Sequence, residues 1–113
     1  MSKPKKVDIL GVEYRISYTT PADDPMLNDL YGYADSITKS IVIDKTDYEK
    51  IPDNKAHRKA VLRHEIVHAF LYESGLDSCS HSSKNWSIDE EIVDWIAIQT
   101  SKIYNVWKQL DIL

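Results

Sequence analysis

Two histidines on one predicted helix are spaced to bind a metal ion together. His64 and His68 are four residues apart, and residues at this spacing lie one turn above each other on the same face of an α-helix. In the pattern His-Glu-x-x-His, both imidazoles point at one Zn²⁺ ion. Glu65 lies one residue round the helix from His64, where its carboxylate can reach a water beside the metal without being a ligand. That is the position of a general base.

A third ligand has to come from elsewhere in the chain, because catalytic zinc usually has three protein ligands and one open position. Glu90 and Glu91 at the start of the next predicted helix are the strongest candidates. Glu90 borders the apolar arc of that helix, whereas Glu91 lies in the polar arc, which favours Glu90. Ser87-x-x-Glu90 is also a capping box, so Glu90 has a purely structural alternative role. His81 and Cys79, in the intervening loop, are further candidates.

The elements that must hold these residues are two long helices and a few strands. Alternating apolar residues predict the strands, and apolar residues at helical spacing predict the helices. The predicted strands are 12–18, 30–34 and 37–44, with a short one at 7–9, and the predicted helices are about 53–74 and 88–110. This order indicates an α+β fold, with a short, mainly antiparallel sheet of about three strands packed on the His64 helix and a C-terminal helix.

The helix of His64 is expected to be central and buried. Apart from a polar stripe of Lys59, Arg63 and Glu73, it is apolar nearly all round. Gly75 is a natural left-handed residue to end it, and Ser87 is a good N-cap for the next helix.

Length and composition exclude several classes of protein. The 113 residues predict one domain at 7–113, preceded by a disordered tail at 1–6. The net charge of −4 gives no basic surface for nucleic acid, and no apolar run is long enough to cross a membrane. Cys79 is the only cysteine and can form no internal disulfide, which favours the reducing cytoplasm. Oligomeric state is not indicated.

The two motifs together resemble a known family. His64-Glu65-x-x-His68, followed by Glu90-x-x-x-Asp94, looks like the gluzincin arrangement, and Glu-Glu-Ile-Val-Asp-Trp-Ile-Ala looks most like ImmA/IrrE-type metallopeptidases and related phage-encoded proteins. The resemblance covers roughly residues 12–103. It implies a small zincin-like domain.

The resemblance also implies a role for each matching residue. His64, His68 and Glu90 would be the Zn²⁺ ligands, Glu65 the base, and Asp94 an acid that fixes a ligand imidazole. The substrate would be a protein or peptide, such as a DNA-binding repressor. The chain departs from the usual sequence of that family at two places: Val93-Asp94 replaces the common Ala-Asn or Ala-Asp, and Ile96 replaces the common Phe. These differences leave the metal ligands intact but put the identity of the substrate in doubt.

Other functions fit the same residues. A zinc-stabilised interaction module without catalysis would use the same two histidines, although a structural site prefers four protein ligands and has no use for Glu65. An amidase acting on a small molecule would share the metal chemistry. Tyr72, Tyr33 and His81 could each stabilise an oxyanion, but a packing or loop role is the better interpretation of each.

Overall fold

A computed structural model describes residues 5–76 and 86–113 and has the predicted α+β class. Four strands and two long helices form this part of the chain, with short 3₁₀ turns at Pro25–Asn28 and Trp86–Ile88. The elements are β1 Lys5–Ile9, β2 Val12–Thr19, β3 Gly32–Asp35, β4 Ser40–Asp44, α1 Asn54–Glu73 and α2 Glu90–Gln109. The predicted strands and helices are therefore all present, and the short strand before Leu10 is a full member of the sheet.

The four strands form one mixed sheet in the order β1-β2-β4-β3. The β1–β2 and β3–β4 pairs are antiparallel, and the central β2–β4 pair is parallel. The predicted Leu10-Gly11 turn joins β1 to β2, and both residues have positive φ, as a tight two-residue hairpin turn requires. This order leaves β3 at the edge of the sheet.

The first strand begins earlier than predicted. Lys5 and Lys6 pair with Ile16 and Arg15 of β2, so the predicted tail of residues 1–6 extends too far. Their side chains are exposed, and strand pairing uses the backbone rather than apolar side chains. An apolar period therefore could not reveal them. Residues 1–4 lie outside the described part of the chain.

One face of the sheet packs against α1 and forms the core. The fully or nearly fully buried members of this core are Ile9, Tyr14, Ile16, Ile41, Ile43 and Ala69. Two side-chain hydrogen bonds also join the end of α1 to the sheet. Glu73 accepts them from the Tyr14 hydroxyl at 2.6 Å and from Lys39 Nζ at 2.8 Å. These two donors hold the pKa of the Glu73 carboxyl below its usual value, Lys39 being the stronger cause.

Helix α1 has the predicted length but is less buried than expected. Asp53 caps its start by accepting a hydrogen bond from the Ala56 N–H, and Gly75 just beyond its end has φ 88°. Only Glu65, His68 and Ala69 are buried, and Phe70 is 40% exposed. The prediction of a helix covered nearly all round is wrong, because the sheet and α2 each cover one side of α1 and leave another side open.

Helix α2 starts at a different cap from the predicted one. Asp89, not Ser87, is the N-cap, and its side chain accepts a hydrogen bond from the Ile92 N–H. Val93 is the only buried residue of α2, so much of its wide apolar arc faces outward. Neither helix in the described ranges is long and apolar enough to cross a membrane.

Candidate functional site

Helices α1 and α2 bring three side chains to one point. His64 and His68 lie one turn apart on α1, and their Nε2 atoms are 3.2 Å from each other. Glu90 is the first residue of α2, and its two carboxylate oxygens lie 2.8 Å from His64 Nε2 and 2.9 Å from His68 Nε2. The two histidines and the favoured third residue from the sequence therefore face a common centre.

A fixed acceptor orients each imidazole ring. His64 Nδ1 donates to Oδ1 of Asp94 at 2.6 Å, and His68 Nδ1 donates to the backbone carbonyl of Ser87 at 2.6 Å. Because an ionised carboxylate and a carbonyl only accept hydrogen bonds, both Nδ1 atoms carry the proton. The Nε2 atoms then face the Glu90 carboxylate, and Nε2 is the nitrogen that each ring offers to a metal ion.

This cluster suits a divalent cation. One ligand atom from each of His64, His68 and Glu90 lies within 4.8 Å of the other two. The negative charge of Glu90, facing two imidazole Nε2 atoms, would attract a cation to the space between them. Imidazole nitrogen and carboxylate oxygen are ligands that zinc accepts, so the three residues could hold such an ion.

The surrounding carboxylates affect the titration of His64. Burial lowers the pKa of His64, but the hydrogen bond to Asp94 and the charges of Glu65 and Glu90 outweigh burial and raise it. A positive charge is therefore favoured at this point of the protein, which is also what a site for a cation requires.

Glu65 is buried beside the cluster. Its exposed fraction is 8%, and its carboxylate accepts a hydrogen bond from the backbone N–H of Ala34 on β3. Burial raises the pKa of Glu65; the nearby His68 and His64 oppose this increase, and Glu90 adds to it. A carboxylate with a raised pKa is a stronger base than one in water, as a group that removes a proton near neutral pH must be.

The edge strand β3 and helix α1 border two clefts that meet at Glu65. A cavity of about 350 Å³ is lined on its sides by Leu30, Tyr31, Val61, His64, Glu65 and Asp94. A second cavity of about 230 Å³ is lined by Tyr33, Ala34, Glu65, His68, Tyr72 and Glu90. Glu65 lines both clefts, with His64 in the first and with His68 and Glu90 in the second.

Gly32 lies between the two clefts and allows β3 to approach α1 closely. A Cβ added to Gly32 would be 2.8 Å from Val61 Cγ1 and 3.0 Å from Ile43 Cδ1, both shorter than ordinary contacts. The missing side chain therefore sets the spacing between the edge strand and the helix that carries His64.

Other residues considered from the sequence lie in different positions. Glu91 is exposed and is not part of the cluster of ligand atoms. Tyr72 stacks on the His68 ring with centroids 5.7 Å apart. The Tyr33 hydroxyl donates to Asp24, and burial together with this hydrogen bond raises the pKa of Tyr33 to about 12. Its proton is thus held by Asp24, not directed at the site. Predictions for Cys79 and His81 concern positions outside the described residues.

Sequence reasoning missed the backbone groups of the site. The Ser87 carbonyl orients His68, and the Ala34 N–H holds Glu65, yet neither contact depends on the side chain of the residue that provides it. Residue type gives no signal for such contacts. Gly32, the first residue of the strand that faces the motif helix, is the signal that the sequence offered.

A comparison with protein-family models gives a match over most of the chain. The model of the family described as "Peptidase of plants and bacteria" matches residues 15–111, which include most of β2, all of β3 and β4, both helices and every candidate site residue. No curated protein and no solved structure gives a significant match.

Proposed function

The chain belongs to the family of peptidases of plants and bacteria, and we propose that it is a metal-dependent peptidase whose metal ligands are His64, His68 and Glu90. One observation carries this proposal: two oriented imidazole Nε2 atoms and a carboxylate converge beside a buried glutamate, Glu65. The proposed ion is Zn²⁺, because two nitrogen ligands and one oxygen ligand, with room for water, are typical of catalytic zinc.

The three ligands and their supports have distinct tasks. A bound zinc ion lowers the pKa of water and polarises a carbonyl group. His64 and His68 hold the ion through Nε2, while Asp94 and the Ser87 carbonyl keep both rings in the required tautomer. Glu90 supplies the negative charge that two neutral imidazoles lack.

Glu65 is proposed to move the proton during hydrolysis. Its carboxylate accepts a proton from the attacking water and then transfers this proton to the leaving amine nitrogen. Burial raises its pKa and brings its basicity closer to what the reaction needs near neutral pH. The Ala34 N–H fixes one side of the carboxylate, which limits its rotation before the substrate binds.

Strand β3 is proposed to bind the peptide substrate in an extended form. Just before β3, the Tyr31 carbonyl accepts a hydrogen bond from the backbone N–H of Asp44 on β4. Because backbone groups alternate along a strand, those of Gly32 and Ala34 point away from β4, to the side where Glu65 lies. An extended peptide added at this edge would pass directly by the proposed ligands.

The assignment to a particular class of metallopeptidase is also a proposal. The placement of Glu90 and Asp94 on one face of α2, four residues apart, supports the gluzincin arrangement and the resemblance to ImmA/IrrE-type peptidases. We extend the proposal to regulatory cleavage of a protein such as a repressor, on the strength of that resemblance. The lone cysteine supports action in a reducing compartment, the cytoplasm.

Replacement of the proposed base tests the function. Glu65→Gln retains the size of the side chain, so we expect zinc content to stay at the wild-type level and hydrolysis of an unfolded protein or a mixed fluorogenic peptide library to fall by about 10²–10⁴-fold. Glu91→Gln removes the same charge outside the ligand cluster and serves as the matched control. An unchanged rate in Glu65→Gln would contradict the proposal.

The number of protein ligands separates the peptidase from a non-catalytic zinc module. We expect X-ray absorption at the zinc edge to show two imidazoles, one carboxylate and a non-protein oxygen ligand. A fourth protein ligand in place of that oxygen, such as His81 or Cys79, would close the site to water and contradict peptidase activity.

A further inference from the structure

The outer face of α2 carries a row of four exposed side chains. Glu91, Trp95, Ile98 and Lys102 follow one another at intervals of four, three and four residues. At about 100° per residue, they lie within about 60° of each other round the helix. Trp95 is 58% exposed and Ile98 is 55% exposed, whereas the buried Val93 lies on the opposite side of α2.

The order of these four residues is self-complementary. An acidic residue stands at one end and a basic residue at the other, with two large apolar residues between them. A two-fold symmetric contact brings residue i opposite residue j and residue j opposite residue i, so a surface fits itself only if such pairs are compatible. Intervals of four and three residues are also those of the apolar seam of a coiled coil.

We propose that α2 of a second copy of this chain docks on this face in the antiparallel direction. With the two-fold axis at the midpoint of the row, between positions 96 and 97, Glu91 lies opposite Lys102 of the second copy and Trp95 lies opposite Ile98 of the second copy. Symmetry repeats both pairs. The contact therefore has four layers, two apolar ones at the centre and an ion pair at each end.

Charge and apolarity have different effects in this contact. The central Trp95 and Ile98 remove apolar surface from water, and aromatic residues near the centre of an interface contribute most of its affinity. The outer Glu91 and Lys102 favour the antiparallel arrangement, because a parallel pair in register would bring like charges together. The contact spans only about three helical turns, so the dimer is weak and depends on protein concentration.

The dimer does not depend on peptidase activity. Glu91 and Trp95 directly follow the proposed ligand Glu90 and its neighbour in the site, Asp94, but they lie on the outward side of α2. Self-association can therefore be measured on the metal-free and the metal-loaded protein alike, and failure of the proposed chemistry would leave this inference intact.

Charge reversal tests the pairing directly. Sedimentation equilibrium of the full chain over about a hundredfold range of concentration should show a monomer–dimer equilibrium. Glu91→Lys alone and Lys102→Glu alone each turn both end pairs from attraction to repulsion, and we expect either change to weaken the dimer about tenfold. The double variant Glu91→Lys/Lys102→Glu restores opposite charges, so its dissociation constant should return to near the wild-type value.

Two further variants complete the test. Lys108→Glu makes the same change of charge about 110° away round α2 and should leave the dimer unaffected. Trp95→Ala removes the aromatic side chain from both central layers and should abolish association while circular dichroism and thermal unfolding stay close to those of the wild type. A wild-type chain that is monomeric at every concentration would overturn the proposal. The proposal would also be overturned if neither single charge reversal weakened the dimer, or if the double variant did not restore the wild-type dissociation constant.

Discussion

Exchange of Glu90 for glutamine is the most direct test of the candidate metal site. The two Glu90 oxygens lie 2.8 Å and 2.9 Å from the two histidine Nε2 atoms. Glutamine has nearly the same shape but removes the negative charge and replaces one of these oxygens with an amide nitrogen that cannot bind a cation. Loss of an outer-shell partner usually weakens metal binding by about 10–100-fold, so loss of a direct ligand should weaken it at least that much.

This loss of affinity also determines the thermal stability with zinc. At a free zinc concentration about 100 times the wild-type dissociation constant, binding stabilises the fold by about 2.7 kcal/mol. For a domain of this size, that corresponds to a rise in melting temperature of about 10 °C. A 100-fold weaker Glu90→Gln site would be half occupied under the same conditions, and the gain would fall to about 0.4 kcal/mol.

Two measurements and one control decide the outcome. Competition with a chromophoric chelator gives the zinc affinity, and thermal unfolding with and without zinc gives the stabilisation. Glu91→Gln makes the same substitution one residue later, where the side chain is exposed and lies outside the ligand cluster, so its zinc affinity and its stabilisation by zinc should equal those of the wild type. Equal loss of affinity in both variants, or wild-type affinity in Glu90→Gln, would refute the role of Glu90 as a ligand.

Three further substitutions test the supports of the site and the fold. Asp94→Asn should lower zinc affinity by about 10–100-fold in the same chelator assay, because it weakens the acceptor that orients His64. Glu73→Gln should lower the free energy of unfolding by about 1–2 kcal/mol at pH 7. Since the pKa of Glu73 is lowered in the folded state, this difference should shrink in urea titrations as the pH falls below about 4.5. Gly32→Ala should destabilise by about 1–3 kcal/mol through its contact with Val61, measured by thermal unfolding.

Local patterns were sufficient to predict the helix that carries the site. The predicted range of about 53–74 for α1 differs by one residue at each end from the observed helix, because Asp53 and Gly75 determine its ends through contacts with their own neighbours. The motif His64-Glu65-x-x-His68 needs only helical geometry to place both imidazoles on one face. Such features are properties of a short segment, so a single sequence reveals them.

Contacts between distant segments were harder to predict. Ser87 was expected to cap α2, but Asp89 does so, and the Ser87 carbonyl instead accepts from His68, 19 residues earlier. Both residues are acceptable caps by type, so propensity alone could not choose between them. The parallel pairing of β2 with β4 was also not apparent, because strand order depends on how the whole chain is packed.

The choice between Glu90 and Glu91 as third ligand depends on the spacing of residues along α2 and on how α2 packs against α1. With Asp89 as the N-cap, Glu90 is the first helical residue of α2 and not the final residue of a capping box at Ser87, so the structural alternative for Glu90 does not apply. Glu90 and Asp94 are four residues apart, as His64 and His68 are on α1, so each helix presents one pair on one face. The two pairs meet: Asp94 contacts His64 Nδ1 while Glu90 contacts both Nε2 atoms. A rotation of α2 that brought Glu91 towards the histidines would move Asp94 away from His64, so the position of Asp94 supports Glu90 as the third ligand.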